Sequence, residues 1–90
     1  MEFKHTANRV FLEDETGKTI AEVTFPEVRE GVVDINRTFV DDSLRGQGIA
    51  GKLLKAAVAV LRASGRKAVL SCSYAVKWFE KHPEEKDLLA

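Results

Sequence analysis

Arg45-Gly46-Gln47-Gly48-Ile49-Ala50-Gly51 places three glycines and an arginine within seven residues, a composition suited to holding an anion. Glycine lets the backbone turn through left-handed conformations and lets a ligand approach the main chain without meeting a Cβ. A helix starting at the end of this stretch would present first-turn N–H groups that have no partner inside the helix and that favour negative charge. Arg45 adds a planar donor fork at the rim. Three further side chains could act on a bound group. Cys72 is the chain's one thiol, and cysteine is the strongest unassisted nucleophile at neutral pH. It also has a structural reading, because a free cysteine serves equally as a small apolar core residue. His82 titrates near neutrality and could move a proton, although its place just before Pro83 also suits a cap on a helix C-terminus. Tyr74 carries a hydroxyl that can donate or accept.

These residues need elements to position them. Arg9-Val10-Phe11-Leu12 reads as a short strand, Glu13–Lys18 as a polar turn, and Thr19–Phe25 as a second strand, which together predict a hairpin. A turn over Pro26–Gly31 leads to a third strand over Val32–Val40, whose alternation through Val33, Ile35, Arg37 and Phe39 separates side chains onto two faces. Beyond Asp41 the period changes. Ala50, Leu53, Leu54, Ala57, Val58 and Leu61 recur at three-four spacing and predict an amphipathic helix that stops at Gly65. Lys67–Ser71 contains the apolar run Ala68-Val69-Leu70, a strand that a helical crossover lays parallel to the third. Tyr74–Lys81 is a second helix, halted by Pro83. Val76, Trp78 and Phe79 are expected in the core, and His5 in a frayed N-terminus. The order β-β-β-α-β-α predicts one α+β domain over residues 1–90: an antiparallel three-stranded meander, then a helix, a parallel strand and a second helix.

Ninety residues bury only about 60–65% of their unfolded surface, so nearly every periodic segment must contribute to the core. Fourteen basic and fourteen acidic residues cancel, which argues against a nucleic-acid partner. A single cysteine cannot form an internal disulfide, and Met1–His5 lacks the apolar stretch of a leader. No apolar run is long enough for a membrane span. The expectation is a complete cytoplasmic protein with no metal site and no membrane partner.

Three phosphate-binding patterns overlap on the glycine segment. Gly46-x-Gly48-x-x-Gly51 has dinucleotide-binding spacing, but Asp41–Leu44 separates it from the strand and no acidic residue ends the next one. Gly46-x-x-x-x-Gly51-Lys52 has P-loop spacing, but Leu53 stands where a hydroxyl must hold magnesium. A turn whose glycines only permit packing is the structural alternative. Arg45-x-x-Gly48-x-Ala50 resembles the (Arg/Gln)-x-x-Gly-x-(Gly/Ala) signature of the GNAT superfamily of acetyl-CoA-dependent N-acetyltransferases, and Thr38–Ala50 resembles that family's strand, loop and helix start. The resemblance covers about residues 8–82. Cys72-Ser73-Tyr74 and His82-Pro83-Glu84 are similar to features of its short stand-alone members. It implies a GNAT-like mixed sheet and acetyl-CoA as the bound species. The pyrophosphate would lie on the backbone of Arg45, Gly46, Gln47, Gly48, Ile49 and Ala50, and the pantetheine arm would pair with Thr38, Phe39 and Val40.

The chain departs from the larger members of that family. It lacks their extra helices before the meander, so the acceptor side is expected to be open and better suited to an amine on a macromolecule than to an enclosed small amine. Aligned on Ala75, the family's last-helix tyrosine falls on Phe79, which has no hydroxyl, and Cys72 falls on its asparagine. Cys72, Tyr74 and His82 are therefore the catalytic candidates. The leading expectation is an N-acetyltransferase with an amine acceptor. The rival is a non-catalytic module that senses acyl-CoA or binds a protein.

Overall fold

Alternation with period two sets the sheet. In the computed structural model, which describes residues 2–90, β1 (Lys4–Thr6), β2 (Arg9–Glu13), β3 (Thr19–Thr24), β4 (Glu27–Arg29), β5 (Val32–Ile35) and β6 (Arg37–Val40) precede the first long helix. Val10 and Leu12 on β2, and Ala21 and Val23 on β3, turn inward and are buried. Arg9, Glu22 and Arg37 lie on the opposite face, where Glu22 pairs with Arg9 at 2.6 Å and with Arg37 at 3.0 Å. The predicted hairpin is β2–β3, and its partner across β3 is β6, giving the antiparallel order β1-β2-β3-β6. His5 lies in β1, paired with Val10 of β2, rather than in a frayed end.

The strand expected over Val32–Val40 is broken at Asn36, and the break decides the architecture. Thr24 pairs with Arg37 and Glu27 with Val33, so two residues on one side (Phe25 and Pro26) face three on the other (Asp34, Ile35 and Asn36). One extra residue is a β-bulge, and Pro26 has no N–H with which to continue the ladder. The bulge reverses the phase of the alternation. Val33 and Ile35 are fully buried, but beyond Asn36 it is Thr38 and Val40 that take the inner side, while Arg37 and Phe39 point away. The single alternation expected through Val33, Ile35, Arg37 and Phe39 therefore does not hold. Asn36 fixes the step, accepting a 2.6 Å hydrogen bond from the Thr24 hydroxyl and donating its N–H to the Thr24 carbonyl.

Below the bulge, β7 (Lys67–Leu70) pairs with β5 in parallel, as the strand–helix–strand order predicts, and the second sheet runs β4-β5-β7. The crossover is α1 (Ile49–Ser64), which buries Ile49, Leu53, Leu54, Ala57, Val58 and Leu61. Gly65 ends it in the left-handed region (φ 68°), where its N–H and that of Arg66 reach the carbonyls of Arg62 and Leu61. α2 (Ser73–Lys81) adds Ala75, Trp78 and Phe79 to the same core, whereas Val76 is 39% exposed and is not a core residue. Among the described residues no helix is long and apolar enough to cross a membrane.

The 3-10 segment Pro83–Leu88 folds back on α1, burying Leu88, and the Arg62 guanidinium donates to both Asp87 carboxylate oxygens at 2.9 Å. Those bonds pull the Asp87 carboxyl down to about 2. A carboxyl whose folded pKa lies below its unfolded value, about 4, stabilises the fold fully above that value and loses its contribution as pH falls through about 2. Asp87→Asn is therefore expected to lower the urea midpoint at pH 7, with the two proteins converging as the pH approaches 2. An undiminished difference at the acid end would contradict this.

Candidate functional site

The bulge leaves β6 at the edge of its sheet, with β3 on one side and no strand partner on the other among the described residues. The Asp41 N–H donates to the Ile20 carbonyl. In an antiparallel ladder, alternate residues bond the same neighbour, so the N–H and C=O groups of Thr38 and Val40 face the free edge. Phe39 turns its backbone to β3 and its side chain to the far face, beside the Arg37 guanidinium. Thr38 and Val40 border an open cleft of about 370 Å³, and the Phe39 side chain does not.

The rest of that cleft is the glycine segment. Asp41 caps a short 3-10 turn (Asp42–Leu44), accepting from the Ser43 hydroxyl at 2.6 Å and the Ser43 N–H at 3.1 Å, and these bonds hold its carboxyl below the ordinary value. Leu44 is buried and pins the loop. Gly46 (φ 82°) and Gly48 (φ 71°) then take left-handed conformations, and a Cβ built on either meets nothing within 4 Å. The backbone rather than packing demands glycine here, and the space a side chain would occupy is left open at the cleft. No side chain caps the start of α1 at Gly48, so its first-turn N–H groups remain available where the helix dipole is positive. Gly46, Gly48, Ile49 and Ala50 line the cleft with Arg45, which is exposed and paired with Asp42 at 2.9 Å. Gln47 is not among the lining residues; Leu44 and Tyr74 are. Leu44 was invisible as a site residue because an isolated leucine in a loop carries no chemical signature.

Cys72 sits at the junction of β7 and α2, where the paired strands part. Its N–H donates to the Ile35 carbonyl, and its Sγ lies 3.5 Å from the Thr38 hydroxyl on the cleft wall. Burial alone would raise the thiol pKa. The Thr38 hydroxyl and the N–H groups of Ala75 and Tyr74 at the start of α2 outweigh it, so the thiol is held below its ordinary value. Beside it, the Asp34 carboxylate accepts from the Ser71 N–H (3.0 Å) and hydroxyl (2.7 Å), a pair the sequence does not single out because its members are distant in the chain. Tyr74 is 40% exposed on the first turn of α2. His82 stands apart at the other end of that helix. Its ring stacks on Trp78 and its Nδ1 lies 2.7 Å from the Trp78 carbonyl, the contact of a C-terminal cap. Phe79 is buried edge-on to Trp78. The structure thus brings Thr38, Val40, Arg45, Gly46, Gly48, Ile49, Ala50, Cys72 and Tyr74 together and leaves Gln47, the Phe39 side chain and His82 outside the cleft.

The sequence profile of the GCN5-related N-acetyl-transferases matches residues 9–88. The chain belongs to this family. Among curated relatives, Protein NATD1 of Gallus gallus and of Mus musculus is 36% identical over 63 residues, covering 70% of this chain. The match spans 57% of the length of those relatives. The NMR structure of a GCN5-like candidate N-acetyltransferase from Staphylococcus aureus superposes with a TM-score of 0.79 at 35% identity, covering 99% of this chain and 87% of that one. A GNAT family N-acetyltransferase (YhbS) from Escherichia coli, crystallised in complex with CoA, gives a TM-score of 0.60 at 25% identity, over 69% of this chain and 38% of its own. The expected α+β GNAT-like fold is the observed one, with β1 and β4 as strands beyond the expected order and the third strand divided into β5 and β6.

Proposed function

We propose that this GNAT domain binds acetyl-CoA in the cleft and transfers the acetyl group to an amine. The observation that carries the reading is the continuity of one cleft from the free edge of Thr38 and Val40 to the open Cβ positions of Gly46 and Gly48 at the start of α1. The first-turn N–H groups of α1 suit a pyrophosphate, and the free edge suits an arm that pairs like an added strand. The CoA complex of the Escherichia coli relative supports the same ligand. In the reaction, the amine nitrogen forms a bond to the thioester carbonyl carbon, the carbon–sulfur bond breaks, the amine loses a proton and the departing sulfur gains one. Tyr74, which lines the cleft as Thr38 does and carries the more acidic hydroxyl, is assigned as the proton donor to sulfur in place of the family tyrosine that falls on Phe79. Cys72 is the competing acceptor, through its lowered thiol and its contact with Thr38.

The test is calorimetry with acetyl-CoA, followed by turnover with a panel of amines and lysine peptides. Tyr74→Phe is expected to lower kcat by about 100-fold while leaving the acetyl-CoA Kd within about threefold. An unchanged kcat would remove Tyr74 from the chemistry. Acetyl-CoA without an amine is expected to leave wild-type protein unlabelled by mass spectrometry. A hydroxylamine-sensitive acetyl on Cys72 would establish a relay through the thiol instead. A second reading, a non-catalytic acyl-CoA-sensing or protein-interaction module, draws on Phe79 lacking a hydroxyl and on His82 being held at the Trp78 carbonyl. Binding without turnover of any amine would favour it.

A further inference from the structure

A polar pattern crosses the face of the sheet that neither helix covers. α1 and α2 lie together on the inner side, where the Gly51 position of α1 faces Tyr74 and Trp78 of α2, and both helices enter the core with Val10, Leu12, Ala21 and Val23. On the outer side Phe11 of β2 stands opposite Glu22 of β3, and Glu22 stands opposite Phe39 of β6. Arg9, Thr24 and Arg37 form the neighbouring row. The Arg9 guanidinium lies 3.7 Å from the Phe11 ring centroid and that of Arg37 lies 5.3 Å from the Phe39 centroid. Both reach the Glu22 carboxylate between them. A ring and a shared carboxylate thus hold each arginine in place before any ligand arrives, which lowers the entropy cost of binding one.

Two guanidiniums on one carboxylate leave a positive charge uncancelled. It is concentrated at Arg37, whose side chain is 58% exposed against 32% for Arg9 and 17% for Glu22. Donors are in excess as well, because the buried Arg9 Nε has no acceptor. Lys4, at the end of the Phe11 row, is paired with Glu13 at 2.7 Å. Arg37 immediately precedes Thr38, whose hydroxyl lies 3.5 Å from the Cys72 Sγ where the strands part. On the β7 bank of that parting the Asp34 carboxylate, set between inward-facing Val33 and Ile35, is bonded to Ser71. The outer approach to the parting therefore has a positive pole at Arg37 and a negative pole at Asp34. An ammonium group is drawn to the second and a carboxylate to the first.

We infer that the amine acceptor is a lysine on a polypeptide with an acidic residue beside it, and that Arg37 reads the neighbouring carboxylate. The inference rests on the acetyl-transfer reading of the adjoining cleft. A polypeptide fits this approach better than a small amine, because small-molecule sites enclose most of their ligand and this one is a sheet surface. An extended segment can lie across that surface with alternate side chains turned toward it. The planar fork of Arg37 suits a carboxylate, and Glu22 is the residue that positions it.

Two peptides test this on the full chain, each with one lysine, flanked by glutamate in the first and by glutamine in the second. Binding is read by fluorescence anisotropy without acetyl-CoA, and acetylation by mass spectrometry with it. At low salt, wild type is expected to bind the glutamate peptide about tenfold more tightly and to acetylate it with a lower KM at similar kcat. Arg37→Gln should bring the two affinities within about twofold of each other by weakening the glutamate peptide alone, with the urea midpoint nearly unchanged. Arg37→Lys should restore only part of the preference, since an ammonium group lacks the fork. Wild type that binds neither peptide or both equally, an Arg37→Gln variant that weakens both alike, or acetylation without preference overturns the acidic-acceptor inference. Calorimetry with acetyl-CoA keeps the two readings apart. Its Kd is expected to be unmoved by Arg37→Gln, and failure of wild type to bind it would overturn the acetyl-CoA reading itself.

Discussion

Gly48→Val is expected to weaken acetyl-CoA binding by about 100-fold or more while leaving the domain folded, through loss of the N–H cradle. Gly48 is at φ 71°, where a side chain costs roughly 1–2 kcal/mol of backbone strain and a β-branched one more. No neighbour lies within 4 Å of its Cβ position, so valine would project into the cleft or force the turn to move. Either outcome displaces the first N–H groups of α1. Gly17→Val is the matched control, because Gly17 also has a positive φ (88°) and an open Cβ position but lies in the β2–β3 turn. Calorimetry and circular dichroism on both variants separate the two effects. Similar affinity losses in both would show that strain, rather than the cradle, is being read. Arg45→Ala should cost only several-fold, since the side chain is exposed and already paired with Asp42, and its removal leaves the amides in place.

Leu53→Ala is expected to give the largest loss of stability of any prediction here, about 2–5 kcal/mol. A chain of this length has on the order of 5–13 kcal/mol in total, so the variant would sit near its unfolding threshold at 37 °C. Leu53 is fully buried on the inner stripe of α1, in the core cluster that also holds Val23, Ile35, Ala75 and Phe79. The same substitution bears on function, because that packing holds the start of α1 against the end of β6. Urea unfolding gives the number. Val76→Ala, at a 39% exposed position on α2, should stay within about 0.5 kcal/mol. A comparable loss at both positions would contradict the assignment of the core.

Both predictions concern α1, the part of the molecule most legible in the sequence. Its apolar stripe, its glycine entry and its glycine exit all recur at spacings local to one element, and local periodicity survives whatever the helix packs against. The parallel placement of β7 was equally accessible, because a strand–helix–strand crossover leaves the chain little topological choice. The placement of His82 at the end of α2 follows from Pro83, and its contact with the Trp78 carbonyl is the capping alternative that the sequence already allowed.

Tertiary structure alone decided the geometry of the cleft. The bulge at Asn36 exists only relative to the shorter Phe25–Pro26 segment opposite it, and no period within Val32–Val40 reports a one-residue mismatch with a partner strand. That mismatch turns Thr38 and Val40 toward the core side, sends Phe39 to the far face and frees the outer edge of β6. It also brings Thr38 to Cys72, thirty-four residues away, where the hydroxyl and the first turn of α2 favour the thiolate. Side-chain type and spacing determine what an element is, because those forces act within a few residues. Which of its faces meets which neighbour depends on register between distant segments, and register is fixed only when they pair.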